Sequence, residues 1–381
     1  MKSALILSGG GARAAYQAGV LKAVSEISHD KSQNPFDIIC GTSSGALNAA
    51  KLACDAKDFG GAVLSLELLW SELRSEHVHK TGYSNLIKSV ATVIGSFFHR
   101  GIARGRPLSL LDNTPLQQLL SDHVDLNSLE ESINTGALHA LCITALGYTS
   151  GQNLCFFQGN SEIQSWAGAK RHGVRCEIEY RHILASLALP TIFPAVRINR
   201  EYFGDGSLRQ TAPMSAALHL GATKLFVIGV SGRPDPKGDR KQVTHSPSIA
   251  QVMGQLVNSA FIDSLAEDVD MLLRFNAFAN MLNEVQLEQL AVKPVDLLMI
   301  SPSVKFDELA GEYVKYLPRS MRTLLRMTGG NLNGGGSNLA SYILFEKEYC
   351  RELISCGYRD AMTQADEIEK FIAKPVDATA A

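Results

Sequence analysis

A serine framed by glycines, an aspartate framed by glycines and a run of three glycines are the groups in this chain whose types and spacing could do chemistry. Ser43 sits in Gly41-Thr42-Ser43-Ser44-Gly45, Asp205 in Gly204-Asp205-Gly206-Ser207, and the run is Gly9-Gly10-Gly11. A G-x-S-x-G turn between a strand and a helix is a nucleophile elbow, with the serine hydroxyl projecting from the end of a sheet. Gly41 and Gly45 suit it because a side chain at either place would collide with the crossing strand and helix. Ser44 falls on the helix side and reads as a turn residue. An aspartate between glycines at a strand end is a placed carboxylate that other groups can approach closely. The plain alternative for it is a D-G hairpin turn.

Two functions compete for the glycine run, which lies between the apolar strand Ala4–Ser8 and a helix. Such a loop gathers unpaired backbone N–H groups at the positive end of a helix dipole, and so favours an anion. Gly9-x-Gly11-x-x-Ala14 fits the relaxed dinucleotide fingerprint, but the second strand should then end in an acidic residue. Its acidic residue, Asp37, stands at the start, and its end carries Gly41-Thr42-Ser43. The other function is an oxyanion hole for a tetrahedral acyl intermediate, where each donor is worth roughly 3–4 kcal/mol. Adjacent parallel first and second strands bring the loop beside Ser43. Arg13 steadies the loop, meets an anionic head group, or is a surface cation on the first helical turn.

The elements that position these groups follow from apolar periodicity. Tyr16, Val20, Ala23, Val24 and Ile27 recur at helical spacing. Phe36–Cys40 forms the strand into the elbow and Ala46–Ala53 the helix out of it. A helix over 58–74 is expected to bury Leu64, Leu68, Leu69 and Trp70. Residues 138–146 and 153–157 flank a turn signal and read as a hairpin. Ile183–Leu189 is a helix stopped by Pro190, a strand pair lies around 196–203, and further strands lie at 224–230 and 295–300. Residues 249–290 and those after 305 are helical, with a glycine-asparagine connection at 329–336. His77 and His79 read as solvated histidines, since no third metal ligand is patterned nearby.

Between about 77 and 112, Leu86, Ile87, Val90, Val93, Ile94, Phe97 and Phe98 form an apolar stripe beside Lys80, Lys88, His99, Arg100, Arg104 and Arg106. One reading is a helix capping the core. The other is a basic amphipathic segment that rests transiently on a membrane surface or covers the site.

At 381 residues the chain can bury one large core or two modest ones, and 36 Lys+Arg against 38 Asp+Glu leave no nucleic-acid footprint. The seven cysteines include no C-x-x-C pair, and several lie in apolar runs, which fits a reducing compartment. The N-terminal apolar run is too short for a secretory signal, and no stretch approaches roughly 20 apolar residues. The expectation is a cytoplasmic protein, with any membrane association peripheral.

Which group activates Ser43? Downstream of Asp205 only His219 and His245 are available, neither at a glycine-framed strand end. Direct proton transfer from Ser43 to Asp205 is the simpler account. An unperturbed aspartate, pKa about 3.9, is a poor base for a serine, so burial must raise it.

Gly9-Gly10-Gly11-Ala12-Arg13, Gly41-Thr42-Ser43-Ser44-Gly45 and Asp205-Gly206-Ser207, in that order, resemble the patatin-like phospholipase family. Ala185–Pro190, Phe193-Pro194 and Gln210–Pro213 add to the likeness, which covers about residues 3–230. Where the family usually has Gly or Ala, this chain has Ser207. The resemblance implies an α/β fold of three layers, αβα, with a mostly parallel sheet. It implies a Ser43–Asp205 dyad that cleaves acyl esters of lipids through an acyl-enzyme, an oxyanion hole from Gly9, Gly10 and Gly11, and no metal or cofactor. Arg13, Gly41, Gly45 and Gly206 support the site. The expected organisation is a catalytic domain over 1–305 and a helical C-terminal extension over 306–381 with a frayed tail. An acyltransferase using the same dyad, or a catalytically silent lipid-binding protein, are the alternatives on this scaffold.

Overall fold

Apolar strands and helices build a mixed sheet with a parallel centre in the computed structural model, which describes residues 1–98, 107–168, 171–210, 212–232, 246, 248–259, 264–290, 293–327 and 337–373. β1 (Ser3–Leu7) and β2 (Ile38–Thr42) pair in parallel, Ala4 opposite Ile38 and Leu7 opposite Gly41. β3 (Ala140–Gly147) continues in parallel beyond β2, and β4 (Asn153–Gly159) turns back along it as the expected hairpin. β5 (Trp166–Ala167) and β6 (Arg171–Arg175) extend that edge. β7 (Val196–Ile198) and β8 (Glu201–Asp205) form a second hairpin whose β8 pairs antiparallel with the end of β3. β9 (Lys224–Ile228) and β10 (Asp296–Ile300) add in parallel beyond β1. The order is β10-β9-β1-β2-β3-β4-β6-β5.

Side chains alternate across a strand, so each of these runs feeds two cores. Leu5, Leu7, Ile39, Leu141, Ile143, Phe226 and Ile228 face one side. Helices Ala15–Ile27, Ser44–Cys54, Phe59–Ser71 and Lys347–Met362 cover it. Ala4, Ile6, Ile38, Cys40, Cys142, Leu225 and Val227 face the other, under helices Ser215–His219 and Ser264–Ala279. The result is three layers, αβα. The helical segment after residue 305 shares the first core through Phe306, Ala310, Leu325, Tyr349 and Leu353. Tyr16 Oη donates to Asp360 Oδ2 at 3.0 Å across that junction. No helix among the described residues is long and apolar enough to cross a membrane.

Two expectations are corrected. Leu64 and Leu68 are 56% and 58% exposed rather than core, because the helix buries Phe59, Ala62, Val63, Leu66, Leu69 and Trp70, a stripe on its opposite side. His79 is buried rather than solvated, at the end of the short helix Ser75–Val78. Burial lowers its pKa, and its Nε2 has no hydrogen-bond partner among the described residues. The expected amphipathic stripe is a helix over Tyr83–Phe98. His99, Arg100, Arg104, Arg106, the 329–336 connection and the tail from 374 lie outside the described residues, as do the side chains of Val93, Ile94, Phe97 and Phe98.

Candidate active site

The chain leaves β2 and enters helix Ser44–Cys54 through one residue, Ser43, at φ 54° and ψ −130°. A non-glycine residue there is strained, and such strain persists only where the surroundings over-determine it. Here the Ser43 N–H donates to Ser186 Oγ at 2.8 Å, and Ser186 Oγ donates to the Thr144 carbonyl at 2.6 Å. Gly41, next to last in the strand, lets the helix cross close by, and Gly45 lets the helix start against β1. A Cβ on Gly45 would lie 2.2 Å from the Leu7 carbonyl oxygen.

The glycine loop abuts the same helix start. Gly9 and Gly10 are buried, Gly11 half-buried, and the Gly10 N–H donates to Ser44 Oγ at 3.1 Å. Gly11 has φ 57°, and a Cβ there would lie 2.1 Å from the Tyr342 carbonyl oxygen. Arg13 is no surface cation. It is 3% exposed, donates from Nε and Nη2 to Ser341 Oγ at 2.9 and 2.6 Å and from Nη2 to Asn338 Oδ1 at 3.1 Å, and stacks 4.0 Å from the Tyr342 ring centre.

β8 delivers Asp205 to Ser43. The Asp205 N–H donates to the Ala188 carbonyl at 3.0 Å, its Oδ1 accepts from the Ser207 N–H at 3.0 Å, and its Oδ2 accepts from Ser43 Oγ at 2.5 Å. Gly206 follows against Thr144. Asp205 is wholly buried. Desolvation raises its pKa to about 6, against the opposing hydrogen bonds from Ser43 and Ser207. A carboxylate so placed can take a proton from a hydroxyl near neutral pH.

The histidines stand elsewhere. His219 is exposed and stacks on Trp166 at 5.0 Å, while His245 lies outside the described residues. Among the described residues no cluster of His, Cys, Asp or Glu is placed to hold a metal ion.

Ser43 opens into an apolar cleft of about 610 Å³, a volume that includes its mouth. Leu47, Leu69, Trp70, Val78, Leu116 and Phe193 line it from the first part of the chain, and Tyr342, Ile343 and Phe345 close it from the far end. Trp70 is fixed by its Nε1, which donates to Asn48 Oδ1 at 2.8 Å. The wall from 342 to 345 escapes sequence reasoning. Its one signal is the apolar run Leu339–Phe345, which carries no motif.

A buried carboxylate on a strained serine, beside a glycine loop and an apolar cleft, suits acyl chemistry. A family model for patatin-like phospholipases matches residues 5–218, more than half of the chain. The cGAMP-activated phospholipase of Pseudomonas aeruginosa is 25% identical over 228 residues, 56% of this chain and 55% of that protein. The chain therefore spans about half the length of this curated relative. Among solved structures, VipD from Legionella pneumophila is similar at 14% identity and TM-score 0.35, covering 96% of this chain and 67% of that one. Human GIVD cytosolic phospholipase A2, in complex with methyl γ-linolenyl fluorophosphonate, is similar at 12% identity and TM-score 0.41, covering 97% and 59%. On the strength of the family match, the chain belongs to the patatin-like phospholipases.

Proposed function

We propose that the chain is a serine acyl hydrolase that cleaves acyl esters of lipids with Ser43 as nucleophile and Asp205 as its base. Ser43 Oγ passes its proton to Asp205 Oδ2 as it attacks the ester carbonyl, giving a tetrahedral oxyanion. Collapse forms the acyl-enzyme and returns the proton to the leaving alcohol. Asp205 then takes a proton from water as it attacks the acyl-enzyme, and returns that proton to Ser43 Oγ as the second tetrahedral intermediate collapses, freeing the fatty acid and restoring the enzyme. The oxyanion is held by N–H groups of the Gly9–Gly11 loop. Gly11 lies beside Ser43 in the cleft wall, while the Gly10 N–H would have to exchange Ser44 Oγ for the oxyanion. The acyl chain occupies the apolar cleft.

The observation that carries this reading is the 2.5 Å contact between Asp205 Oδ2 and the Oγ of Ser43, a residue that lines that cleft. Its test is labelling of the purified protein by a fluorophosphonate, with the modified residue identified by mass spectrometry. Covalent phosphonylation at Ser43, absent from Ser43→Ala, is expected. No labelling, or labelling at another residue, rejects the assignment. Turnover of phospholipids, lysophospholipids, triacylglycerols and p-nitrophenyl esters then ranks the substrate class.

A further inference from the structure

We propose that the cleft is presented to an anionic lipid surface by two neighbouring helices, Tyr83–Phe98 and Arg319–Met327. The proposal rests on the acyl-hydrolase reading and names the surface on which that substrate is met. The helices are tied together. Ser320 Oγ donates to the Thr81 carbonyl at 2.5 Å, and Tyr83 Oη lies 3.3 Å from Thr323 Oγ1. Leu86, Met321 and Leu325 anchor the pair to the main core.

The outward residues include cations and large apolar side chains beside neutral Ser84, Thr92 and Thr323. Lys88, Arg319 and Arg326 are exposed and Arg322 is half-buried, while Ile87 and Met327 stand 64% and 79% exposed among them. Neither helix contains a carboxylate. Among the described residues, none of these cations forms an ion pair, and Arg322 Nε is buried without a hydrogen-bond partner. Of the acids on adjoining elements, Asp112 pairs with Lys80 and Glu308 with Lys305, and among the described residues neither Asp307 nor Glu312 forms an ion pair with these cations. Unneutralised cations interleaved with apolar side chains are what an interfacial helix needs. The cations draw it to anionic head groups and the apolar groups enter the boundary. A soluble polyanion would ask for the cations without Ile87 and Met327.

The pair also adjoins the cleft wall. Val78, which lines the cleft, leads into the first helix. The turn that carries it is held by Ser75 Oγ donating to Glu346 Oε1 at 2.7 Å, next to the cleft residue Phe345.

The test is co-sedimentation of Ser43→Ala protein, which leaves the lipid intact, with phosphatidylcholine vesicles with and without phosphatidylglycerol. Binding to the anionic vesicles alone, weakened by added salt, is expected. Lys88→Glu/Arg319→Glu/Arg326→Glu in the same background should reduce partitioning at least about 100-fold, at about fivefold for each cation removed. With Ser43 restored, that triple variant should turn over a soluble p-nitrophenyl ester at the parental rate, which shows it folded, and lose turnover on anionic vesicles. Equal binding by the triple variant and its parent overturns the proposal. So does a parent that ignores anionic vesicles, or one that binds heparin in preference to them. A protein that binds vesicles as expected but neither labels with fluorophosphonate nor hydrolyses any ester would instead reject the acyl-hydrolase reading.

Discussion

The Ser43 hydroxyl donates to Asp205 Oδ2 at 2.5 Å, and that carboxylate is sealed from solvent at the end of β8. In the proposed chemistry each is useless without the other. Ser43→Ala and Asp205→Ala should therefore each lower kcat on a short p-nitrophenyl ester about 10⁴-fold or more, and the double variant should lose little beyond either single one. His219→Ala should leave kcat unchanged, since that ring stacks on Trp166 at the surface. A histidine variant with the larger loss would reject the dyad.

The pH dependence follows from the burial of Asp205. Only the carboxylate can accept the serine proton, and desolvation brings its pKa to about 6. The kcat/KM of the free enzyme should rise through an acidic limb centred near pH 6 and stay level above it. A profile flat down to pH 4 would contradict both the burial and the role.

The raised pKa also has a stability consequence of definite sign. Asp205 binds its proton more tightly folded, at about 6, than at the ordinary 3.8, so stability falls as pH rises between those values. Above pH 6 the buried charge costs the fold about 3 kcal/mol, since each tenfold change in proton affinity is worth about 1.4 kcal/mol. Asp205→Asn keeps the shape and sheds the charge. It should melt higher than the parent at pH 7, with the advantage gone by pH 4, while turnover disappears. Thermal melts of the two proteins at both pH values check this, and a less stable Asn variant at pH 7 would count against it.

Chain length should be set in the cleft. Leu47 and Leu69 line it, so Leu47→Phe or Leu69→Phe adds bulk where a fatty chain would lie. Turnover of long-chain p-nitrophenyl esters should fall at least about tenfold relative to the acetate, since each lost methylene contact is worth about 0.8 kcal/mol. Equal losses on all chain lengths would place the acyl chain elsewhere.

The parts of the site that could be read from the sequence are those fixed by local backbone chemistry. Ser43 announces itself because only glycines tolerate the approach of Leu7 to Gly45. Asp205 does so because a strand ends in a glycine-framed turn, and β1, β2 and β9 because strands buried on both faces are continuously apolar. Features set by distant contacts were hidden. Nothing near Leu64 shows that the helix turns it outward, and nothing near His79 says that the chain folds inward there. The cleft wall at Tyr342–Phe345 depends on Arg13 meeting Ser341 across 328 positions of sequence, an encounter no local pattern encodes.

Arg13 offers the sharpest test of that hidden half. Its guanidinium grips Ser341 and Asn338 and lies over Tyr342, whose carbonyl rests against Gly11. Loosening the grip should disturb the glycine loop and the cleft wall together. Arg13→Lys keeps the charge but loses the planar fork, and should cost about 2–3 kcal/mol of stability, the worth of charged hydrogen bonds left partly unmade. Ser341→Ala removes the acceptor of both shorter bonds. If the two residues act as one brace, the double variant should fall short of the sum of the singles by about 1–3 kcal/mol in urea unfolding. Kinetics separate bracing from mere packing: a displaced oxyanion loop lowers kcat with little change in KM, whereas a general softening of the fold leaves kcat intact at temperatures where the variant is folded. Additive stabilities together with an unchanged kcat would show that Arg13 and Ser341 contribute independently, and that the glycine loop holds its shape without them.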